Sequence, residues 1–183
     1  EQDWLVKLAA GGFGRKLLGA FGLPAPVALA RGVTGSATPL AGRRLICRTL
    51  PGGFAGEAAA AALSGLGAEV LANAPAGDDA RLDGVVVDAT GCRTADDLRG
   101  LSDIFHPLLR RLQRCGRIVV IAARPGDQGD ALAAAAANGV GGFVRSLAKE
   151  AGKRGSTANL IVADRAGAER IAGPLRFFCG GGT

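Results

Sequence analysis

The chain has no tyrosine and no methionine, a single histidine and a single tryptophan, and aromatic residues make up only 4% of its 183 positions. The missing tyrosine excludes any reaction in which this chain itself must supply a phenolic proton donor. His106 alone cannot complete a Cys/His metal cluster, and Cys47, Cys92, Cys115 and Cys179 form no C-x-x-C pair. Their wide spacing fits small buried thiols in a reducing compartment. Long hydrophobic runs are lacking too. The longest, Ala131-Leu132-Ala133-Ala134-Ala135-Ala136-Ala137, falls far short of the roughly 20 residues of a membrane span. At the N-terminus Glu1, Gln2 and Asp3 precede Trp4, where a signal peptide would place a basic region and an apolar stretch. The expectation is a soluble, cytoplasmic protein with no metal site and no membrane partner.

What is present points to an ordinary folded domain. Hydrophobic residues reach 48% and mean hydropathy is +0.24, which excludes a mainly disordered polymer, although much of the apolar content is alanine. The length suits one α/β domain with a short extra arm, large enough to bury its core without disulfides. A net charge of +6 and a pI near 9.8 raise the question of nucleic acid. The basic residues are scattered, however, and the aromatic residues do not interleave with them as a base-stacking surface requires. The reading is a solvated basic surface and no nucleic-acid partner.

Along the chain, residues 1–42 read as an N-terminal helical arm and connector. Trp4, Leu5, Leu8, Leu17, Leu18 and Phe21 give it apolar spacing, Gly11, Gly12 and Gly14 break it into two short helices, and Pro24 and Pro26 end it. Residues 43–183 read as an α/β domain. Strands are expected at 45–50, 68–71, 84–88, 118–121 and 159–162, with helices at 56–64, 94–112, 130–150 and 167–178. Thr94 with Asp97 three residues on makes a capping-box pattern. The stripe Leu98, Leu101, Ile104, Phe105, Leu108, Leu109 and Leu112 predicts an amphipathic helix ended by Gly116, with Pro107 expected to bend it. Strand and helix alternating with helix-length crossovers predict a doubly wound, mostly parallel, five-stranded sheet. The large apolar residues of the arm, and Leu175, Phe177 and Phe178 near the end, are expected to form contact surfaces.

In such a fold a nucleotide would sit at the carboxyl ends of the strands, with phosphates on the loop after the first strand. That loop reads Thr49-Leu50-Pro51-Gly52-Gly53-Phe54-Ala55-Gly56. Gly52, Gly53 and Gly56 are its candidate cofactor-binding residues. Their spacing is not G-x-G-x-x-G and Phe54 is bulky, so the loop is read as a tight turn rather than a cradle. Asp88, at the end of a central strand, is read as capping the next turn through Thr90 and Gly91. His106 is read as a partly exposed structural residue. Arg145, Lys149 and Lys153 share one face of the long helix, where dipole compensation and solvation compete with a docking face for an acidic carrier or phosphopantetheine.

Residues 139–150, Gly-Val-Gly-Gly-Phe-Val-Arg-Ser-Leu-Ala-Lys-Glu, with Arg154-Gly155-Ser156-Thr157-Ala158-Asn159, resemble the long helix and following strand of the short-chain dehydrogenase/reductases. Gly116–Ala123 is similar to the strand that ends at that family's catalytic serine. Trp4-Leu5-Val6, Phe21-Gly22-Leu23-Pro24, Val87-Asp88-Ala89-Thr90-Gly91 and Pro174-Leu175-Arg176-Phe177-Phe178 narrow the resemblance. They look like the N-terminal, degenerate flavodoxin-like domain of high-molecular-weight bacterial 3-oxoacyl-acyl-carrier-protein reductases of fatty-acid biosynthesis. The resemblance implies a degenerate Rossmann fold whose catalytic positions are empty: the serine position falls on Ala122 or Ala123, and the Tyr-x-x-x-Lys positions on Ala133 and Ala137. No cofactor is expected in this domain. NADH would bind a C-terminal ketoreductase domain beyond Thr183, and the other implied partners are a second copy in a homodimer and an acyl carrier protein or acyl-CoA. The rival readings are an autonomous nucleotide- or flavin-binding module built on Gly52–Gly56 and a basic-faced interaction protein.

Overall fold

A parallel strand lying between two helical layers is apolar on both faces, and the sheet of this chain has five strands, buried in this way at its centre and only partly buried at its two edges. In a computed structural model, which describes residues 35–75 and 81–180 together with Lys16 and Ala20, they are β1 (Arg44–Thr49), β2 (Glu69–Leu71), β3 (Leu82–Ala89), β4 (Leu112–Ala123) and β5 (Thr157–Ala163). They form one sheet in the order β2-β1-β3-β4-β5, and every ladder is parallel. This is the flavodoxin-like order. It is also what the Rossmann order 3-2-1-4-5-6 becomes when its third strand is left out and the rest are renumbered. The expected doubly wound α/β sheet is therefore present. Of the helices expected in the arm only Lys16 and Ala20 are described, both helical, and the rest lies outside the described residues.

Successive side chains on a strand point to opposite faces, and the valine run of β3 divides accordingly. Val85 and Val87 join Ile46, Ile118 and Val120 in one core. Leu101 and Phe105 of α2 (Ala95–Leu109), with Val140 and Val144 of α3 (Ala131–Gly152), close that core. Val86 joins Leu45, Val119 and Ile121 on the other face, covered by Ala59 and Leu63 of α1 (Gly56–Gly65) and by Leu175 of α5 (Ala172–Gly180). A short helix α4 (Arg165–Ala168) and a 3-10 turn (Pro125–Asp127) follow β5 and β4. Leu40, in the connector, is fully buried in the second core and donates its N–H to the Leu66 carbonyl at 3.0 Å.

Local signals set the helix starts. The Thr94 hydroxyl accepts from the Asp97 N–H while the Asp97 carboxylate accepts from the Thr94 N–H, a complete capping box. The Asp97 carboxyl is held below its usual range, chiefly by the N–H of Arg93. Asp130 caps α3 by accepting from the Ala133 N–H at 2.8 Å.

Several expectations are corrected. The apolar stripe overruns its helix: α2 stops at Leu109, and Leu112, buried in the same core, is already the first residue of β4. Helical spacing was satisfied by a strand residue arriving at that core from another direction. Gly116 does not end a helix but sits in an irregular stretch of β4. There, a step of two along β3 (Leu82 to Gly84) is matched by a step of five along β4 (Leu112 to Arg117), and Cys115 adopts φ 58°. A Cβ on Gly116 would lie 2.4 Å from Leu112 Cγ, so glycine is required there. Between β2 and β3, where no helix was expected, none occurs among the described residues. The last expected helix is two, α4 and α5. Finally, Leu175 and Phe178 pack into the domain's own core, so of the three C-terminal residues expected to offer a contact surface only Phe177 is exposed, at 51%.

Candidate functional site: the crevice at the carboxyl edge of the sheet

Strand order reverses between β1 and β3, and the loops leaving these two strands lie side by side. Asp88, the penultimate residue of β3, is fully buried. Its Oδ1 accepts from the N–H and the hydroxyl of Thr90, at 2.9 and 2.7 Å. Its Oδ2 accepts from the N–H of Ala55, the N-cap residue of α1, at 2.8 Å. The Thr90 hydroxyl in turn accepts from the Phe54 N–H at 2.8 Å, and the Leu50 N–H donates to the Asp88 carbonyl at 2.8 Å. The start of α1, where a fold of this kind offers amides and a positive dipole end to phosphate, thus carries the protein's own carboxylate.

The glycines of the loop follow from the same clasp. A Cβ on Gly53 would lie 2.6 Å from Asp88 Oδ2, and one on Gly56 only 1.8 Å from Thr49 Oγ1. One on Gly91, which follows Thr90, would fall 2.1 Å from the Pro51 carbonyl oxygen. Gly52 takes φ 76°, the left-handed region that a side chain disfavours. Close packing of the protein against itself accounts for Gly53, Gly56 and Gly91, and backbone conformation for Gly52. Burial, and secondarily the Asp88 charge, pushes the Cys47 thiol up to about 11.

Beside this clasp lies an open cavity of about 440 Å³. Pro51, Gly52 and Phe54 line it from β1, and Thr90, Gly91 and Arg93 from β3. Ala123, Arg124, Asp127 and Gln128 contribute from β4, and Ala163, Asp164 and Arg165 from β5. Three arginines therefore stand around one crevice, one after each of three adjacent strands. Arg93 pairs with Asp130 at 3.2 Å and donates to Gln128 Oε1 at 3.2 Å. Arg124 reaches Asp164 at 3.3 Å and Asp127 at 4.0 Å, while Asp164 also caps α4 through the Gly167 N–H. The Arg165 guanidinium lies 5.0 Å from the centroid of the Phe54 ring, a cation–π contact that fixes both side chains. Such a crevice can receive an anion, and beside its arginines it carries the Thr90 hydroxyl, the Gln128 amide and the carboxylates of Asp127 and Asp164.

Of the residues singled out in the sequence, Ala123 lies in this lining and is buried, as is Ala122 beside it. Ala133 and Ala137 are buried on α3 outside the lining. Gly52 lines the crevice, while Gly53 and Gly56 serve the clasp. Asp88 makes the expected turn with Thr90 and, beyond that, reaches Ala55. His106 is exposed on α2, Arg145, Lys149 and Lys153 are exposed on and just after α3, and none of the four lines the crevice. Sequence reasoning missed Phe54 as an arginine platform and missed Arg93, Arg124 and Arg165. The available signal was an arginine within a few residues of the end of three consecutive strands. Among the described residues no cluster of His, Cys, Asp and Glu suits a metal, and no helix is long and apolar enough to cross a membrane.

No family model matches this sequence, and no curated protein matches it. Solved structures do. A double mutant of a short-chain dehydrogenase/reductase from Serratia marcescens superposes with a TM-score of 0.56 at 18% identity, covering 78% of this chain and 91% of its own. A dehydrogenase/reductase from Sinorhizobium meliloti gives 0.56 at 18% identity over 79% and 90%. The promiscuous reductase LugOII, which catalyses keto-reduction at C1 in lugdunomycin biosynthesis, gives 0.57 at 16% over 78% and 90%. The chain has the Rossmann-like α/β fold of these reductases.

Proposed function

We propose that this chain is a catalytically silent α/β domain of a two-domain, NADH-dependent 3-oxoacyl-(acyl-carrier-protein) reductase, with an architectural, dimerising or substrate-placing role. NADH and the carbonyl chemistry belong, in this reading, to a ketoreductase domain of the same protein. The observation that supports it is the coincidence of a Rossmann-like fold with alanine at the positions that the sequence resemblance assigns to catalysis. Ala133 and Ala137 are buried on α3 outside the crevice, and Ala123, which reaches its lining, carries only a methyl group there. With no tyrosine in the chain, the proton that a reduced carbonyl oxygen needs has no phenolic source. The Asp88 clasp adds to this, because it engages the Phe54 and Ala55 amides that a dinucleotide's pyrophosphate would want.

Purified chain assayed for NADH oxidation with acetoacetyl thioesters should turn over at least about a hundredfold more slowly than an ordinary ketoreductase. A single reversion, such as Ala133→Tyr, should not rescue it, since groups that act as a unit are strongly non-additive. Turnover within that hundredfold would overturn the proposal.

A further inference from the structure

The two ends of the carboxyl-edge crevice differ in charge character. At its β1 end the Asp88 carboxylate fills the anion position at the start of α1. Toward β4 and β5 the crevice presents Arg124 and Arg165, with Arg93 across from them on the β3 loop. The ion pairs made by Arg93 and Arg124 are exposed, with side chains 52% and 57% accessible, so they are weakly held and open to exchange for a stronger anion. Arg165 takes part in no ion pair among the described residues; its guanidinium is steadied by the Phe54 ring.

We propose that this crevice binds a small phosphate monoester, its phosphate held by Arg124 and Arg165 and its organic body lying against Phe54 and the Thr90–Gly91 turn. A guanidinium fork binds two phosphate oxygens at once, and a phosphate monoester carries about −1.5 to −2 charge where the carboxylate it displaces carries one. The volume of about 440 Å³ lies at the small end of the range for ligand sites, suited to a mononucleotide-sized molecule rather than a dinucleotide. The position, outside the carboxyl ends of strands beside the reversal of strand order, is where open α/β sheets take ligands. Asp88 sets the selectivity: a second phosphate directed to the start of α1 meets a buried carboxylate. Asp127 and Asp164, which also line the crevice, keep affinity modest, on the order of 100 μM at low salt. This inference does not rest on the proposed function, since AMP and phosphate binding are read without any reductase assay.

The probes are AMP, inorganic phosphate and NADH, titrated calorimetrically into the purified chain at low ionic strength. AMP should bind at one site, phosphate more weakly at the same site, and NADH at least about tenfold more weakly than AMP. Arg165→Gln and Arg124→Gln should each weaken AMP about tenfold. Arg145→Gln, on α3 outside the crevice lining, should leave the affinity unchanged. All three arginines are exposed, and unchanged melting of each variant verifies its fold. Absence of AMP binding at millimolar concentration would overturn the proposal. So would equal losses in all three variants, which would mark general attraction to a basic chain, or NADH binding as tightly as AMP.

Discussion

Asp88→Ala removes a carboxylate that accepts three hydrogen bonds of 2.7–2.9 Å inside the protein. Two of the donors are backbone amides, of Ala55 and Thr90, in residues that are 0% and 5% exposed, so neither can turn to bulk water. Stranding a buried donor costs about 1–3 kcal/mol, and bonds to a charged acceptor lie at the upper end. The Thr90 hydroxyl can rotate to another acceptor and is left out. Two stranded amides, with the lost interaction at the α1 N-terminus, give a destabilisation of about 3–5 kcal/mol. That is a large share of the roughly 5–15 kcal/mol that holds a domain together, and for a domain of this size it lowers Tm by about 10 °C. Urea unfolding followed by circular dichroism measures it as a fall in midpoint at unchanged slope. Thr90→Val, which removes the acceptor for the Phe54 N–H, belongs to the same network. The double variant should therefore lose less than the sum of the two single losses. A loss below about 1 kcal/mol in Asp88→Ala would refute the view that the clasp organises this edge of the sheet.

Gly91→Ala should destabilise by about 2 kcal/mol or more, because its Cβ meets the Pro51 carbonyl oxygen at 2.1 Å and backbone cannot move aside cheaply. Gly126→Ala, with nothing within 4 Å, should be close to neutral in the same thermal melts. Burial pushes the thiols of Cys47 and Cys92 up to about 11 and that of Cys179 to about 12. A folded-state pKa raised above the unfolded value stabilises fully below the unfolded value and loses that contribution as pH rises through the folded one. The urea midpoint should therefore decline from about pH 9 towards pH 11–12, and the triple alanine variant of these cysteines should decline less.

The sheet was legible because its strands advertise themselves. A run such as Val85-Val86-Val87 can only be buried on both faces, and Thr94 with Asp97, or Asp130 ahead of an alanine run, marks a helix start by chemistry local to the sequence. Where two kinds of structure satisfy one pattern, the sequence misled: Leu112 fits the stripe of α2 yet belongs to β4. The extension of β4 back to Leu112 was hidden by Gly116 and the left-handed Cys115, residues that ordinarily mark an end. The crevice was legible only in part. Its location follows from the fold, and Gly52 and Asp88 were in view. Its arginines come from three loops, Arg93 and Arg165 being 72 positions apart, and only the sheet brings them together. Nor does any sequence pattern announce that Asp88 reaches back 33 residues to Ala55.

That reach also bears on how the chain is assembled on the ribosome. A nascent chain that has emerged only as far as β2 owns two strands joined at three positions, Arg44 to Glu69 through Ile46 to Leu71. Two such strands are not independently stable. The partner that gives β1 five paired positions, β3, follows later in synthesis, and the Asp88 and Thr90 contacts to the first loop span 33 and 36 residues. The first two of the five strands must wait, joined only at those three positions, until residue 90 has left the exit tunnel. Their brief exposure is the interval in which a holding chaperone, or a slowed codon after β3, has the most influence on yield.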